Sequence, residues 1–216
     1  AGRGEGRPLS LFPHPPVPIR APLGVDTALF HPPPRALASP PRLVQVASLV
    51  PVKGQAALIA SAAILRDRGH GLRLEIAGSG PLGPRLRHLA ARLDLDGMVS
   101  FRGEIAHDRL PAFYAGAAAY VQSSLHEAQG MALLEAAACG VPVAGTRVGA
   151  LPELEPDAAI GCEPGDPEAL AATIAALLDA PERRSTMGIS ARRQAEAEYD
   201  LEGCVERFRS LYAELA

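Results

Sequence analysis

A doubly wound parallel α/β sheet, with helices on both faces, is the fold this sequence predicts. Three observations carry it. From Arg42 onward, short Val- and Leu-rich segments alternate with longer segments whose apolar residues recur at helical spacing, the pattern of strand–helix units around a parallel sheet. Hydrophobic residues make up 48% of the chain but aromatics only 4%, with no Trp, so the core is built of Ala, Leu, Val and Ile in closely packed layers. Glycine-containing turns follow several of the apolar segments, where a parallel strand hands over to its helix.

The segments predict strands over 42–48, 72–77, 98–101, 118–122, 141–144 and 158–162. Helices are predicted between them: 55–67 with Leu58, Ile59, Ala62 and Leu65 on one face, one carrying Leu86, Leu89, Ala90 and Leu93, then 107–115, 131–139 and a short one over 148–154. The tail from Pro167 to Ala216 reads as helical, with Leu170, Ile174, Leu177 and Leu178 on a packed face. Residues 1–41 are rich in proline, which removes backbone donors and disfavours helix. They read as a linker or N-terminal extension, interrupted by the apolar stretch 21–30, that leads into a domain over 42–216.

With 216 residues the chain has room for one well-filled domain and is too short for two full α/β domains. A net charge of -3 gives no reason to expect nucleic acid or a polybasic membrane contact. The sequence starts at Ala1 without Met or an apolar leader, which reads as a truncated or processed start. Cys139, Cys162 and Cys204 are scattered, and neither they nor the six His show metal-ligand spacing. Buried thiols in a cytoplasmic protein are expected, and no metal.

In such a sheet, ligands bind where the carboxyl ends of the strands, the loops and the helix N-termini converge. After the first strand comes Ser48-Leu-Val-Pro-Val-Lys53-Gly, and Lys53 is the single lysine among 21 basic Lys and Arg side chains. An ammonium at a helix start suits a diphosphate. Gly78-Ser-Gly-Pro after the second strand leaves room for a ligand, and Arg102-Gly-Glu-Ile105 offers backbone groups to a nucleobase; both also read as ordinary turns. The segment Ser123-Ser-Leu-His-Glu127-Ala-Gln-Gly130-Met131-Ala132-Leu-Leu-Glu135 is the richest. Glu127 falls in a loop and Glu135 two turns into an apolar helix, roughly 12 Å apart from the helical rise. That spacing excludes a shared-proton pair and suits two grips on an elongated ligand. A carboxylate among Leu133, Leu134 and Ala136 is costly to bury without a partner.

In this order and spacing, the motifs from about Pro22 to Ala216 resemble the C-terminal domain of glycosyltransferase family 4, retaining enzymes of the GT-B fold. They are Pro-Leu-Gly-Val-Asp, Leu-Val-Pro-Val-Lys-Gly, Ile-Ala-Gly-Ser-Gly-Pro-Leu, Val-Ser-Phe-Arg-Gly-Glu-Ile, the Glu-x7-Glu element and Ala-Ala-Ala-Cys-Gly-Val-Pro-Val. The resemblance implies a Rossmann-like half of a two-domain enzyme that binds a UDP-, GDP- or ADP-sugar, without cofactor or metal. It implies that Lys53 contacts the donor diphosphate, Glu135 the ribose and Glu127 the transferred sugar. Gly130, Met131 and Ala132 fall where backbone approaches sugar and phosphate, Ile105 where main chain meets the base, and Ser48 beside the phosphates, with Gly78 among the substrate-binding positions. The acceptor would be held by an N-terminal domain, which could also bring the enzyme to the inner face of the membrane.

Three places depart from the family pattern, one of them the usual Gly-rich turn, altered near Ala158 to Gly161. Ser48 stands where an arginine is usual, leaving Arg102 or Arg147 to compensate, and Ala128-Gln129-Gly130 replaces Gly-Phe-Gly. A catalytically degenerate binding or scaffold module of the same fold is therefore the alternative; a sugar-nucleotide epimerase fits the Glu-x7-Glu spacing poorly.

Overall fold

The computed structural model describes residues 19–32 and 37–215. Six strands, β1 (Arg42–Val46), β2 (Arg73–Ala77), β3 (Val99–Gly103), β4 (Ala119–Gln122), β5 (Val143–Thr146) and β6 (Ala159–Cys162), form one sheet in the order β3-β2-β1-β4-β5-β6. Every neighbouring pair is parallel. The chain winds outward from β1 in one direction and from β4 in the other, so the order reverses between these two strands.

Period-two alternation buries both faces of the sheet. Leu43, Leu74, Ile76, Ala119, Val121 and Ala144 join one core cluster, with helices α1 (Gln55–Asp67), α2 (Gly83–Arg92) and α6 (Pro167–Leu178) supplying Leu58, Ile59, Leu65, Leu86, Leu170 and Ile174. Val44, Ala77, Tyr120 and Val143 point the other way, into a cluster with α3 (Leu110–Tyr114), α4 (Met131–Ala138), α5 (Leu151–Leu154) and α7 (Pro181–Glu198). A final helix, α8 (Leu201–Leu215), closes the described chain. None of the described helices is long and apolar enough to cross a membrane. Cys139, Cys162 and Cys204 are free and buried, and burial pushes the Cys139 thiol up to about 12.

The elements differ from the sequence expectation mainly at their ends, and proline explains most shifts. The strand expected to start at 141 starts at Val143, because the Val141 N–H closes the turn after α4 on the Ala136 carbonyl (3.0 Å) and Pro142 has no N–H to donate. The helix expected over 107–115 divides into a 3₁₀ turn, His107–Arg109, and α3, with Pro111 in the first turn of α3. Pro152, Pro167 and Pro181 likewise open α5, α6 and α7.

The apolar stretch within the Pro-rich region packs onto the domain. Val25 and Phe30 are buried in the core, Val25 N–H donates to the Tyr199 carbonyl (2.7 Å), and Leu201 N–H donates back to Val25 (2.9 Å). Arg192 donates to the carbonyls of Thr27 (3.1 Å) and Ala138 (2.8 Å), fastening this entry segment to α4 and α7. The remainder of residues 1–41 lies largely outside the described residues.

Candidate functional site

The strand order reverses between β1 and β4, and the region beyond their carboxyl ends is where an open parallel sheet takes its ligands. Two loops line it: 47–54 after β1 and 123–130 after β4. They are drawn together because Gly54, at φ +65°, opens α1 where a Cβ would lie 1.9 Å from the Ser123 carbonyl oxygen, so only glycine fits. Leu125 N–H donates to the Val52 carbonyl (2.7 Å) and the Ser123 hydroxyl to the Lys53 carbonyl (2.8 Å). Gln45, buried on β1, donates in turn to the Ser123 hydroxyl (2.8 Å).

These bonds bring the sole lysine and the loop glutamate into contact. Lys53 Nζ lies 2.7 Å from Glu127 Oε1, and the Ser124 hydroxyl donates to the same oxygen at 2.7 Å. A cation at a helix N-terminus works against the helix dipole, so an anion there is favoured twice over. Glu127 is that anion in this structure.

Glu135 sits inside α4, whose first turn opens on Gly130 at φ +89°. Its carboxylate is buried; the Tyr114 hydroxyl donates to Oε2 (3.1 Å) and His107 Nε2 lies 3.5 Å from Oε1. Burial pushes the carboxyl above its ordinary value, and the Tyr114 and His107 contacts pull it partly back. Tyr120, on β4, is buried. Its hydroxyl donates to Val46 at the end of β1 (3.3 Å), and its acidity is lowered by burial and by the charges of both Glu127 and Glu135. Both carboxylates therefore act on the same buried phenol.

Ser48, Gly78 and Ile105 come together around a cavity of about 270 Å³ completed by Val46, Ser79 and Glu104. Ile105 and Glu104 also border a neighbouring cavity of about 480 Å³ with Asp108 and Arg109, so open space continues along the carboxyl ends of β1, β2 and β3. Met131 and Ala132 are half-buried against the core. Lys53 touches Glu127 but neither touches Glu135, whose partners lie on the segment 107–114. A separate, mostly apolar groove of about 390 Å³ opens at the other end of the sheet, next to Pro142 and Ile189. Among the described residues, no group of three His, Cys, Asp or Glu could hold a metal ion.

Sequence reasoning did not single out Ser124, Tyr114, Tyr120 or His107. Ser124 stands three positions before Glu127, a spacing at which a hydroxyl reaches back within a turn; nothing in the spacing links Tyr114 or His107 to Glu135. Of the two arginines named as replacements for a cation at position 48, Arg147 is engaged by Glu155 through two bonds (2.8 and 3.1 Å). Arg102 borders a cavity shared with Arg42, Glu75 and Arg109.

Residues 30–194 match the family Glycosyl transferases group 1. The chain belongs to that family. A GDP-mannose-dependent alpha-(1-6)-phosphatidylinositol monomannoside mannosyltransferase of Mycolicibacterium smegmatis is 34% identical over 192 residues, 81% of this chain and 50% of the relative. The chain thus spans about half the length of that relative. Among solved structures, a sucrose-phosphate synthase from Thermosynechococcus elongatus superposes with a TM-score of 0.82 at 28% identity, over 90% of this chain and 52% of that one. The C-terminal domain of a group 1 glycosyltransferase from Francisella tularensis is covered completely, with 82% of this chain, a TM-score of 0.73 and 21% identity. This glycosyltransferase domain therefore has the fold of the C-terminal domain of GT-B enzymes.

Proposed function

We propose that the domain binds a nucleoside-diphosphate sugar in the crevice between β1 and β4 and, joined to an acceptor-binding domain, transfers the sugar with retention of configuration. The contact between Lys53 and Glu127 across the reversal of strand order carries this reading, because it sets a cation, a helix N-terminus and a carboxylate at one point. A diphosphate entering there takes the Lys53 ammonium and the free N–H groups of α1 as its counter-charge. Both stabilise the negative charge that develops as the nucleoside diphosphate leaves, so the arrangement calls for no metal. Glu127, released from Lys53, faces the transferred sugar. Glu135 accepts from ribose hydroxyls, and main chain near Ile105 meets the base. The mannosyltransferase relative favours GDP-mannose among the candidate UDP-, GDP- and ADP-sugars. Its phosphatidylinositol-based acceptor fits work at a membrane surface on the cytoplasmic side, reached through the acceptor-binding domain.

Thermal unfolding of this chain with UDP, GDP and ADP tests the reading. A ligand of the native state at a hundred times its Kd adds about 2.7 kcal/mol, or roughly 5–10 °C in Tm for a chain of this size. One nucleotide is expected to shift Tm by that amount; no shift with any of the three overturns the assignment.

The degenerate-module alternative draws on one observation: Ser48 is exposed and uncharged while Arg147 is committed to Glu155. Introducing S48R in a version with its acceptor domain separates the two. A large gain from a dead start favours degeneracy, whereas transfer by the unaltered protein excludes it.

A further inference from the structure

Loop 123–130 has almost no regular hydrogen-bond ladder of its own, yet it must hold Glu127 in place. Its far end is fixed by Gln129. The Gln129 side-chain amide pairs with the backbone of Leu23 in both senses: Leu23 N–H donates to Oε1 (2.8 Å) and Nε2 donates to the Leu23 carbonyl (2.7 Å). A two-bond clamp of this kind fixes direction as well as distance, as the pairing of neighbouring strands does. The Gln129 carbonyl is itself held by the N–H of Ala150 (2.7 Å). A Cβ on Gly149 would lie 2.4 Å from that carbonyl oxygen and 2.9 Å from Glu127 Cβ, so the loop is pressed against residue 149 on one side and Leu23 on the other.

The partner of the clamp is itself rigidly anchored. Arg20 is bonded to Glu153 and to the Tyr199 hydroxyl (3.0 Å), Val25 pairs with Tyr199 and Leu201, and Thr27 is bonded to Asp200. Segment 20–27 is thus fastened to α5 and to the junction of α7 and α8, and the clamp ties the loop after β4 to that frame. A small cavity of about 160 Å³ lined by Arg20, Pro22, Ala128, Gln129 and Tyr199 lies at this junction.

We infer that Gln129 is a positioning residue for the transferred sugar: by clamping Leu23 it fixes the loop carrying Glu127, and so sets how well the domain distinguishes a nucleoside-diphosphate sugar from the bare nucleoside diphosphate. The inference rests on the donor-site reading above and assigns to this chain's entry segment a part in binding. The main chain of Lys53 is held by the Val50 carbonyl (3.0 Å) and the Ser123 hydroxyl (2.8 Å), and Glu135 by Tyr114 and His107, so neither element depends on the clamp. Because a bound diphosphate takes the place of Glu127 on the Lys53 ammonium, loosening Gln129 acts chiefly on the sugar end of the complex.

Calorimetric titration of the unaltered chain, Q129M and Q129N with GDP and GDP-mannose, and with UDP and UDP-glucose, tests this. Met keeps the length and loses both bonds; Asn keeps the amide but retracts it by one methylene. Two lost hydrogen bonds correspond to about tenfold. Both variants are expected to bind the bare diphosphate within about twofold of the unaltered chain and the sugar nucleotide about tenfold more weakly. Equal weakening of both ligands, or an unchanged ratio, overturns the positioning role while leaving the donor site intact. Failure of the unaltered chain to bind any of the four overturns the donor-site reading and this inference with it. If Q129M does not fold, Q129N decides by the same ratio.

Discussion

Glu127, in the loop after β4, and Glu135, inside α4, stand eight positions apart and are held in different ways. Glu127 is paired with an ammonium and a hydroxyl, partners that an incoming anion can compete for. Glu135 is buried against a phenol and an imidazole, and its carboxyl is pushed upward because burial outweighs these contacts. Under the proposed function, the loop holds a charge pair that a ligand would exchange, and the helix a desolvation cost that a ligand's hydroxyls would relieve. One short element thus holds one carboxylate in an exchangeable pair and the other in a packed, pre-set environment, as its division between an irregular loop and a packed helix dictates.

Three substitutions probe that contrast, from the largest effect downward. K53A removes the exchangeable cation and is expected to weaken nucleoside-diphosphate binding by about ten- to a hundredfold, the range for losing a hydrogen bond to a charged group. Calorimetry measures it directly, and unchanged affinity would overturn the phosphate role. E135Q separates the two grips. It is expected to abolish the preference for a ribose over a 2′,3′-dideoxyribose nucleotide, seen as equal affinities for the two, while the contribution of Lys53 persists.

E135Q also has a pH signature. Burial raises the Glu135 carboxyl above its ordinary 4.5. Between 4.5 and the raised value the folded chain holds a proton that the unfolded chain has lost, so stability falls as pH rises through that window. E135Q is therefore expected to raise Tm above the window, and the gain should vanish as pH falls below 4.5. A constant gain at every pH would assign the effect to packing instead. The smallest effect belongs to S124A, which removes one of two donors to Glu127. Sugar-nucleotide affinity is expected to fall by about threefold, with the bare diphosphate unaffected.

The legible part of this protein was local. Alternating apolar segments displayed six strands and the helices between them, and Leu43 beside Val44, one on each face of the sheet, shows why: a strand buried on both sides is apolar throughout. Pro111, Pro152 and Pro181 lie in the first turns of their helices, a start signal that apolar periodicity alone leaves unused, whereas Pro167 reads from the sequence as the start of the helical tail. Lys53, Glu127 and Glu135 stood out in the sequence because a lone ammonium and a carboxylate in an apolar helix need a reason to be there.

Contacts between distant segments were beyond the sequence's reach. Tyr114 and His107 meet Glu135 across more than twenty positions, and Gln129 meets Leu23 across 106. Arg147, a plausible phosphate partner by position, is held by Glu155 instead. Sequence fixes composition, period and turn chemistry, each a property of neighbours along the chain. Which side chains share a hydrogen bond depends on how the sheet order reverses between β1 and β4 and where the entry segment lies on α7 and α8. Only the packed layers decide that, because the cost of an unpaired buried group is settled by whatever the fold brings alongside it.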